Sequence, residues 1–522
     1  MSTERDLYGW ADACLLPGFT GYTAPDWVRR RVAEGLGGVA LYHDNVADTA
    51  QLSKLTGELR AERADVLIAI DEEGGDVTRL EIARGSSWPG NHALGRADDT
   101  ELTRQVAAGI GRTLAETGVS LDFGPVADVN TTADNPVIGV RSFGSDPERV
   151  AAHTAAYVDG LQSTGVAACA KHFPGHGGTV VDSHHDLPVV HDAESVFEST
   201  AFPPFRAAIE AGVRSVMTAH ITVPAFDTVP ATLSAPILTG LLRRRLGYTG
   251  VVITDSLEME AVSRTFGITE GGVRAVIAGA DLLCTGTRDG EQRVHALREA
   301  LVAAVRDGRL PEQRLAEAAE RVRALSGWTG RGGGRGAGTG AGRGAERGTA
   351  QGADPGAGTD GGRGSGQGAA RGAETPLGLV AARRALHAVG ITPLTAPPLV
   401  VELGEEPNPA VGRTSWGLGR TLQEALPTTT VRSYHGPDDR PLDELRHTGP
   451  GTPLVVTVRD RHRHPWIAAA VAELVAARPD TVLVEMGLPY GTPPARHYIH
   501  THGAARVCAQ AAAELLLGRE LG

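Results

Sequence analysis

From the start of the chain to about Trp328, short apolar runs rich in β-branched residues alternate with longer stretches of Ala, Leu, Glu and Arg. The runs fall at Cys14-Leu15-Leu16, Gly38 to Tyr42, Val66 to Ile70, Val119 to Phe123, Val166 to Ala170, Ser215 to Thr218, Val251 to Thr254 and Asp281 to Leu283. Runs of this length and apolarity read as buried strands, and the intervening stretches as helices. About eight strand–helix units predict a (β/α)8 barrel of the TIM type over residues 1–328, with function gathered at the C-terminal ends of the strands.

The pattern then breaks. Residues 329–374 are Gly, Ala, Arg and Thr with scattered Asp, Glu, Ser and Gln, and contain no aromatic residue, Leu, Ile or Val. Such a segment cannot bury a core, so a disordered Gly/Ala/Arg tether is expected there, with a span of roughly 30–40 Å if it behaves as a Gly-rich coil. Structure resumes from Thr375. Pro398 to Leu403, Pro453 to Val458 and Thr481 to Met486 read as parallel-type strands, with helices over Ile467 to Ala477 and Ala504 to Leu517. Residues 375–522 are therefore expected to form a smaller open α/β sandwich whose role the sequence does not give.

Composition narrows the partners. Over 522 residues, 50 Lys and Arg stand against 62 Asp and Glu, a formal charge of −12 that repels phosphate backbones and anionic lipid surfaces. Nucleic acid is thus an unlikely partner by charge alone. The polar start, Met1 to Asp6, leads into Leu7-Tyr8-Gly9-Trp10 without the apolar core of a secretory signal, and no run of 18 or more apolar residues suggests a membrane span. A cytoplasmic location is the expectation. Cys14, Cys169, Cys284 and Cys508 are widely spaced, so buried thiols are expected in place of a disulfide framework.

Chemistry concentrates where the apolar runs stop. Val66 to Ile70 ends in Asp71-Glu72-Glu73-Gly74-Gly75, with Arg79 close behind. Val166 to Ala170 ends in Lys171-His172-Phe173-Pro174-Gly175-His176-Gly177, followed by Asp182-Ser183-His184. Val251 to Thr254 ends in Asp255-Ser256-Leu257-Glu258-Met259, and His220 follows another run. Each group has a bland reading beside the functional one. Asp255 could cap a helix beginning near Leu257, Asp71 could cap another, Arg79 could form a surface ion pair, and His184 could be a solvated loop histidine.

Together with Asn135-Pro136-Val137-Ile138-Gly139-Val140-Arg141-Ser142-Phe143-Gly144-Ser145-Asp146-Pro147, these ordered blocks resemble the signatures of family 3 glycoside hydrolases, most closely the bacterial β-N-acetylglucosaminidases. The resemblance covers roughly the first 328 residues. It implies a retaining exo-acting β-N-acetylglucosaminidase that needs no cofactor or metal, acting on a small carbohydrate such as an N-acetylglucosamine-containing oligosaccharide or a muropeptide from peptidoglycan or chitin. By the same resemblance Asp255 is the nucleophile, His184 the proton shuttle oriented by Asp182, and Asp71, Arg79, Arg141, Lys171 and His172 grip the sugar. An imidazole, with an unperturbed pKa of about 6.5, suits acid and then base work near neutral pH.

Two positions depart from the common family pattern: Gly178 stands where Asp is frequent, and Asp76 where a basic residue is usual. Both are expected to alter how the cleft treats groups beyond the first sugar. Other readings remain. Phosphate in place of water would make the protein a phosphorylase. A β-glucosidase-like enzyme would draw its acid from the second domain, with Glu402 or Glu485 as candidates. His172, His176, Asp182, His184, His185 and Asp186 could hold a metal, although their spacing matches no compact ligand pattern. A non-catalytic sugar-binding protein would have no need of both Asp255 and the dyad.

Overall fold

The computed structural model describes residues 2–182, 186–330, 375–405, 416–449 and 451–521. Eight short strands form the first unit: β1 (Leu15–Pro17), β2 (Gly38–Leu41), β3 (Leu67–Ile70), β4 (Leu121–Asp122), β5 (Ala167–Phe173), β6 (Ser215–Thr218), β7 (Val251–Ile253) and β8 (Leu283–Thr285). β2 to β7 pair in sequence order and β1 pairs with β8, all in parallel. Parallel bridges between Gly18 and Ala40 and between Ile253 and Leu282 join the two groups into a closed ring. The alternation of apolar runs and helical stretches thus yields the expected barrel.

Side chains along a strand alternate between faces, and the two faces here feed two cores. Leu16, Ala40, Leu67, Ala69, Leu121, Ala167, Cys169, Met217, Val251, Ile253 and Leu282 cluster inside the ring, whereas Val39, Leu41, Ile68, Ile70, Ala168, Ala170, Val216 and Val252 pack outward under the helices. The helix Glu312–Gly330 contributes Val322 and Leu325 to the inner cluster and lays Trp328 against it. Arg214, which immediately precedes β6, stacks 4.7 Å over that indole, so this helix plugs the N-terminal mouth of the ring. The helix also runs through Thr329 and Gly330, two residues past the expected domain end, and the rest of the expected tether, 331–374, lies outside the described residues.

The second unit is a six-stranded sheet built from β9 (His387–Val389), β10 (Leu399–Leu403), β11 (Thr430–Tyr434), β12 (Leu454–Val458), β13 (Val482–Glu485) and β14 (His497–His500), in the order β11-β10-β12-β13-β14-β9. Only β9 runs antiparallel. One face packs Val400, Val455 and Val484 against Leu422 and Leu516, and the other packs Val401, Val456 and Leu483 against Ile467, Val471 and Leu474. The apolar strands β10, β12 and β13 are the ones expected from sequence. β9, β11 and β14 escape such reading because they carry His, Arg, Ser and Tyr and are largely exposed or half-buried.

The helix Leu377–Ala385 fastens the units together. Ala381 belongs to the barrel's outer core, while Leu379 and Ala382 pack with Ala505, Val507, Cys508 and Ala511 of the second unit. Gly378 is required at the crossing, since a Cβ there would lie 2.0 Å from the Ser87 carbonyl oxygen. Arg384 pairs with Asp99 at 2.6 Å. Nearby, the rings of His92 from the barrel and His502 from the second unit lie 5.2 Å apart, and His500 and His387 continue the row at 6.2 and 5.6 Å. Among the described residues no helix is long and apolar enough to cross a membrane, and all four cysteines are buried and free.

Burial holds His92 and His500 at about 4, opposed for His92 by Asp460 and aided by Arg96 and Arg149, and for His500 aided by His387, Arg461 and Arg96. His502 is lowered further, by burial and by His92, His500, Arg96 and His387. An unfolded imidazole titrates near 6.5, so below that pH the unfolded chain binds protons that the folded interface refuses, and stability falls as pH drops from about 6.5 towards 4. Buried carboxyls such as Glu72, raised to about 7, tilt the opposite way. The expected outcome is therefore a difference: the melting temperature of His92→Phe should rise relative to the parent as pH falls from 7 to 4.5. Parallel curves would show that His92 does not titrate on unfolding.

Candidate active site

The alternation inside the barrel determines what meets at its C-terminal mouth. The last inward apolar positions are Ala40, Ala69, Leu121, Cys169, Ile253 and Leu282. Two residues on, each strand presents Tyr42, Asp71, Phe123, Lys171, Asp255 and Cys284. All six, with Met217 of β6, line a single cavity of about 370 Å³, completed by Arg79, Val137, Arg141, His172, His176, Ser256, Glu258, Met259, Glu260 and Arg288. Side chains more than two hundred residues apart in sequence thus reach one cleft because they share one strand parity.

Charge in the cleft is organised around Glu73. Its carboxylate accepts from Arg141 Nε at 3.0 Å and Nη2 at 2.7 Å, and its Oε1 also lies 2.7 Å from Lys171 Nζ. Lys171 Nζ makes a second contact, 2.6 Å to Asp71 Oδ1, and Asp71 Oδ2 lies 3.9 Å from Arg79. Burial alone would push Glu73 upward, but Arg141 and Lys171 outweigh it and hold the carboxyl well below the usual range. Burial would likewise neutralise Lys171, and Asp71 and Glu73 reverse that. Glu73 is 3 % exposed by side chain and Asp71 21 %, so Asp71 faces the cavity while Glu73 sits behind it as a shared anchor. The result is a set of fixed charged donors and one accessible carboxylate, suited to directed hydrogen bonds with vicinal hydroxyls.

His172 is held by Asp128, whose Oδ2 lies 2.7 Å from Nδ1; Asp128 also accepts the backbone N–H groups of His172 and His176. The strand expected to stop at Ala170 runs on through Lys171 and His172 to Phe173, with a register irregularity against β6 between Ala170 and Phe173. Lys171 and His172 therefore stand on a strand and not on an open loop, and the irregularity lets both neighbours reach the cavity. His176 lines the cleft too, and burial, reinforced by His172, keeps it neutral with a pKa of about 4.

Asp255 follows β7 by two residues, and its Oδ1 accepts the Ser256 N–H at 2.7 Å. The next helix begins only at Glu260 with Met259 at its cap, so Asp255 is not the cap of that helix. His220 supports this turn: it is fully buried, and its Nε2 lies 3.0 Å from the Ser256 carbonyl oxygen. The bland readings of Asp71 and Arg79 fail similarly. No helix starts after Asp71 until Asn91, and Arg79 is buried at 7 % exposure. At the rim Glu258 pairs with Arg293 and lies 3.7 Å from Arg288.

The structure thus brings Asp71, Arg79, Arg141, Lys171, His172 and Asp255 to one cleft. Asp182 lies on the loop beyond β5, half-buried, and is not among the residues lining the cavity; Ser183, His184 and His185 lie outside the described residues. Among the described residues no group of three or more His, Cys, Asp or Glu is arranged to hold a metal. Glu402 and Glu485 are engaged inside the second unit. Glu485 accepts the N–H groups of Asp460, Arg461 and Gly487, and burial, with Asp460 nearby, raises it to about 8; Glu402 accepts from Gly419 and Ser433. Neither is among the residues lining the cleft.

Sequence reasoning gave no role to Glu73 or Asp128, and offered His176 only as a metal ligand. The acid triplet Asp71-Glu72-Glu73 was a signal for the first: with Asp71 inward, Glu73 shares its parity. Asp128 carried none, because it follows β4 by way of the irregular segment Phe123 to Ala127.

Comparison with known proteins gives a consistent answer. Residues 26–325 match the glycosyl hydrolase family 3 N terminal domain. The chain is 35 % identical over 318 residues to Beta-hexosaminidase A of Pseudoalteromonas piscicida, covering 56 % of this chain and 53 % of that protein, so it spans about half of that relative's length. It is 38 % identical over 268 residues to a Beta-hexosaminidase of Neisseria meningitidis serogroup C (strain 053442), covering 50 % of this chain and 74 % of the relative. Among solved structures, a glycoside hydrolase family 3 beta-N-acetylglucosaminidase from Paenibacillus sp. str. FPU-7 superposes with a TM-score of 0.82 at 32 % identity, covering 100 % of this chain and 98 % of that one.

Because Glu73 compensates two buried cations, Glu73→Gln should destabilise the barrel by about 3 kcal/mol in urea denaturation, the range for breaking a buried ion pair. It should also raise KM for a sugar substrate at least tenfold. Asp255 is only half-buried at the wall of the cleft, and Asp255→Asn should cost less stability than Glu73→Gln.

Proposed function

The chain belongs to glycosyl hydrolase family 3, and on that premise we propose that it is an exo-acting β-N-acetylglucosaminidase that releases terminal β-linked N-acetylglucosamine with retention of configuration. The observation that carries this reading is the convergence of Asp71, Arg79, Arg141, Lys171 and His172 with Asp255 in one cleft at the C-terminal mouth of the barrel. Asp71, Lys171 and the two arginines hold the sugar by its hydroxyls. Asp255 then stands as the nucleophile.

In the first step an Asp255 carboxylate oxygen bonds to the anomeric carbon as the bond from that carbon to the glycosidic oxygen breaks. The departing oxygen takes a proton from the His184 imidazole. In the second step water attacks the same carbon from the face the leaving group vacated, gives its proton to His184 and frees Asp255. Asp182 orients the imidazole. The pairing of charges favours this assignment: Asp71 is bound by Lys171 and Arg79 and Glu73 by Lys171 and Arg141, so both of these carboxylates are already engaged by cations of the cleft. The natural substrate proposed is a soluble peptidoglycan- or chitin-derived fragment, in keeping with the chain's net negative charge and a cytoplasmic site of action.

Asp255→Ala should abolish turnover of an aryl N-acetylglucosaminide while leaving the fold intact, and a mechanism-based fluorosugar should label Asp255 in the parent. Labelling at any other residue would move the nucleophile. His184→Ala should slow substrates with poor leaving groups by about 10²–10⁴-fold, and aryl glycosides with acidic leaving groups far less. Equal losses on both substrate types would remove His184 as the acid. Running the same assay in phosphate, with a sugar 1-phosphate as the diagnostic product, would expose a phosphorylase.

A further inference from the structure

The second unit approaches the cleft from behind, at the two segments that carry its central ion pair. Glu73 begins the turn Glu73-Gly74-Gly75-Asp76-Val77, in which Gly74 and Gly75 take φ of +74° and +62°. Asp76, buried at 6 % exposure, reaches out of the barrel: its Oδ1 accepts the Ala504 N–H at 2.9 Å and its Oδ2 pairs with Arg459 at 2.6 Å. Arg141 ends the segment 130–141. That segment is touched at Ala133, whose carbonyl oxygen lies 2.8 Å from His462 Nε2, and at Gly139, where an added Cβ would sit 3.9 Å from Leu488 Cδ1.

Between the two contacts the fit is close. Glu73, Asp76, Asn91 and Arg141 share with Gly503 a residual cavity of only about 10 Å³, at most enough for one water. The wall of the sugar cleft and the second unit are in direct contact there. Asn91 closes the frame by donating its Nδ2 hydrogen to the Arg141 carbonyl at 2.8 Å.

We propose that the second unit is a positioning element for the sugar site, with Arg459 and His462 as positioning residues that hold the Glu73 turn and the Arg141 segment in register. This rests on the reading of the cleft given above. The Glu73–Arg141 contact is a two-bond fork, and a fork tolerates little displacement; a misplacement near 1 Å in a binding group typically costs on the order of 10²-fold in rate. Glu73 sits on a turn and Arg141 on the short 3-10 helix Gly139–Arg141, both outside the strands of the barrel, so the barrel's hydrogen-bond ladder does not fix them. The acid at position 76, where the family pattern usually has a base, follows from the same geometry. It meets a cation of the second unit, and contrary to the sequence-based expectation it does not face the groups beyond the first sugar.

The test uses the full chain with an aryl N-acetylglucosaminide, active sites being counted with the fluorosugar. Arg459→Ala should raise KM about tenfold while kcat per labelled site changes less than threefold, and Arg459→Lys should recover most of the loss. His462→Phe, at the other contact, should raise KM a few-fold, and it decides the matter if Arg459→Ala does not fold. A merely structural role would lower the fraction of labelled sites and leave KM alone. KM within twofold of the parent in the folded variants overturns the proposal. Asp255→Asn in parallel separates the two failures: if it stays active, the reading of the cleft has failed, and if it is inactive while KM is unmoved in the others, only the positioning role has.

Discussion

Strand parity inside a closed ring is the constraint on which the rest depends. A barrel of eight parallel strands leaves each side chain two choices, inward or outward, and every strand must put apolar residues on both faces until it reaches the mouth. Ala69, Cys169 and Ile253 fill the interior, so Asp71, Lys171 and Asp255, two residues on, are directed into the same space. The polar site is the continuation of the apolar core by one more layer. A slip of one residue in any of these strands would turn its functional side chain under the helices and bring the preceding Ile70, Ala170 or Thr254 to the cleft in its place.

Gathering that many charges in a buried mouth is stable only if they neutralise one another. Glu73 carries most of this burden, because it compensates Arg141 and Lys171 together and leaves Asp71 the more exposed of the two carboxylates. The same economy appears at Asp128, which fixes His172 and the turn at His176 with one carboxylate. Neither residue needs to touch a substrate to matter. Glu73, with Asp71, keeps the buried Lys171 charged, and Asp128 fixes the direction of His172.

The second unit presents the opposite case, in which charge joins two folded bodies. Asp76, Arg459, the Ala504 N–H and the His92–His502 contact lie buried or half-buried where the units meet, and the helix Leu377–Ala385 is shared between their cores. Glu402 and Glu485 show that acidic residues at strand ends need not be catalytic. Their oxygens are consumed by backbone N–H groups of neighbouring loops, as the ends of parallel strands require when several turns converge.

The sequence alone determined the alternation of eight buried strands with helices, the second apolar strand set after Thr375, and the clustering of Asp71, Lys171, His172 and Asp255 at strand ends, because these depend on local periodicity and turn chemistry. It could not show β9, β11 and β14, whose exposed polar residues carry no burial signal and which exist because a neighbouring strand offers a ladder. Nor could it show that Glu73 is shared by Arg141 and Lys171, that Asp128 holds His172, or that Asp76 belongs to an interface. Those pairings join residues from about forty to almost four hundred positions apart. Local pattern sets which way a side chain points from its own strand; only the closing of the barrel and the seating of the second unit decide which charge it meets.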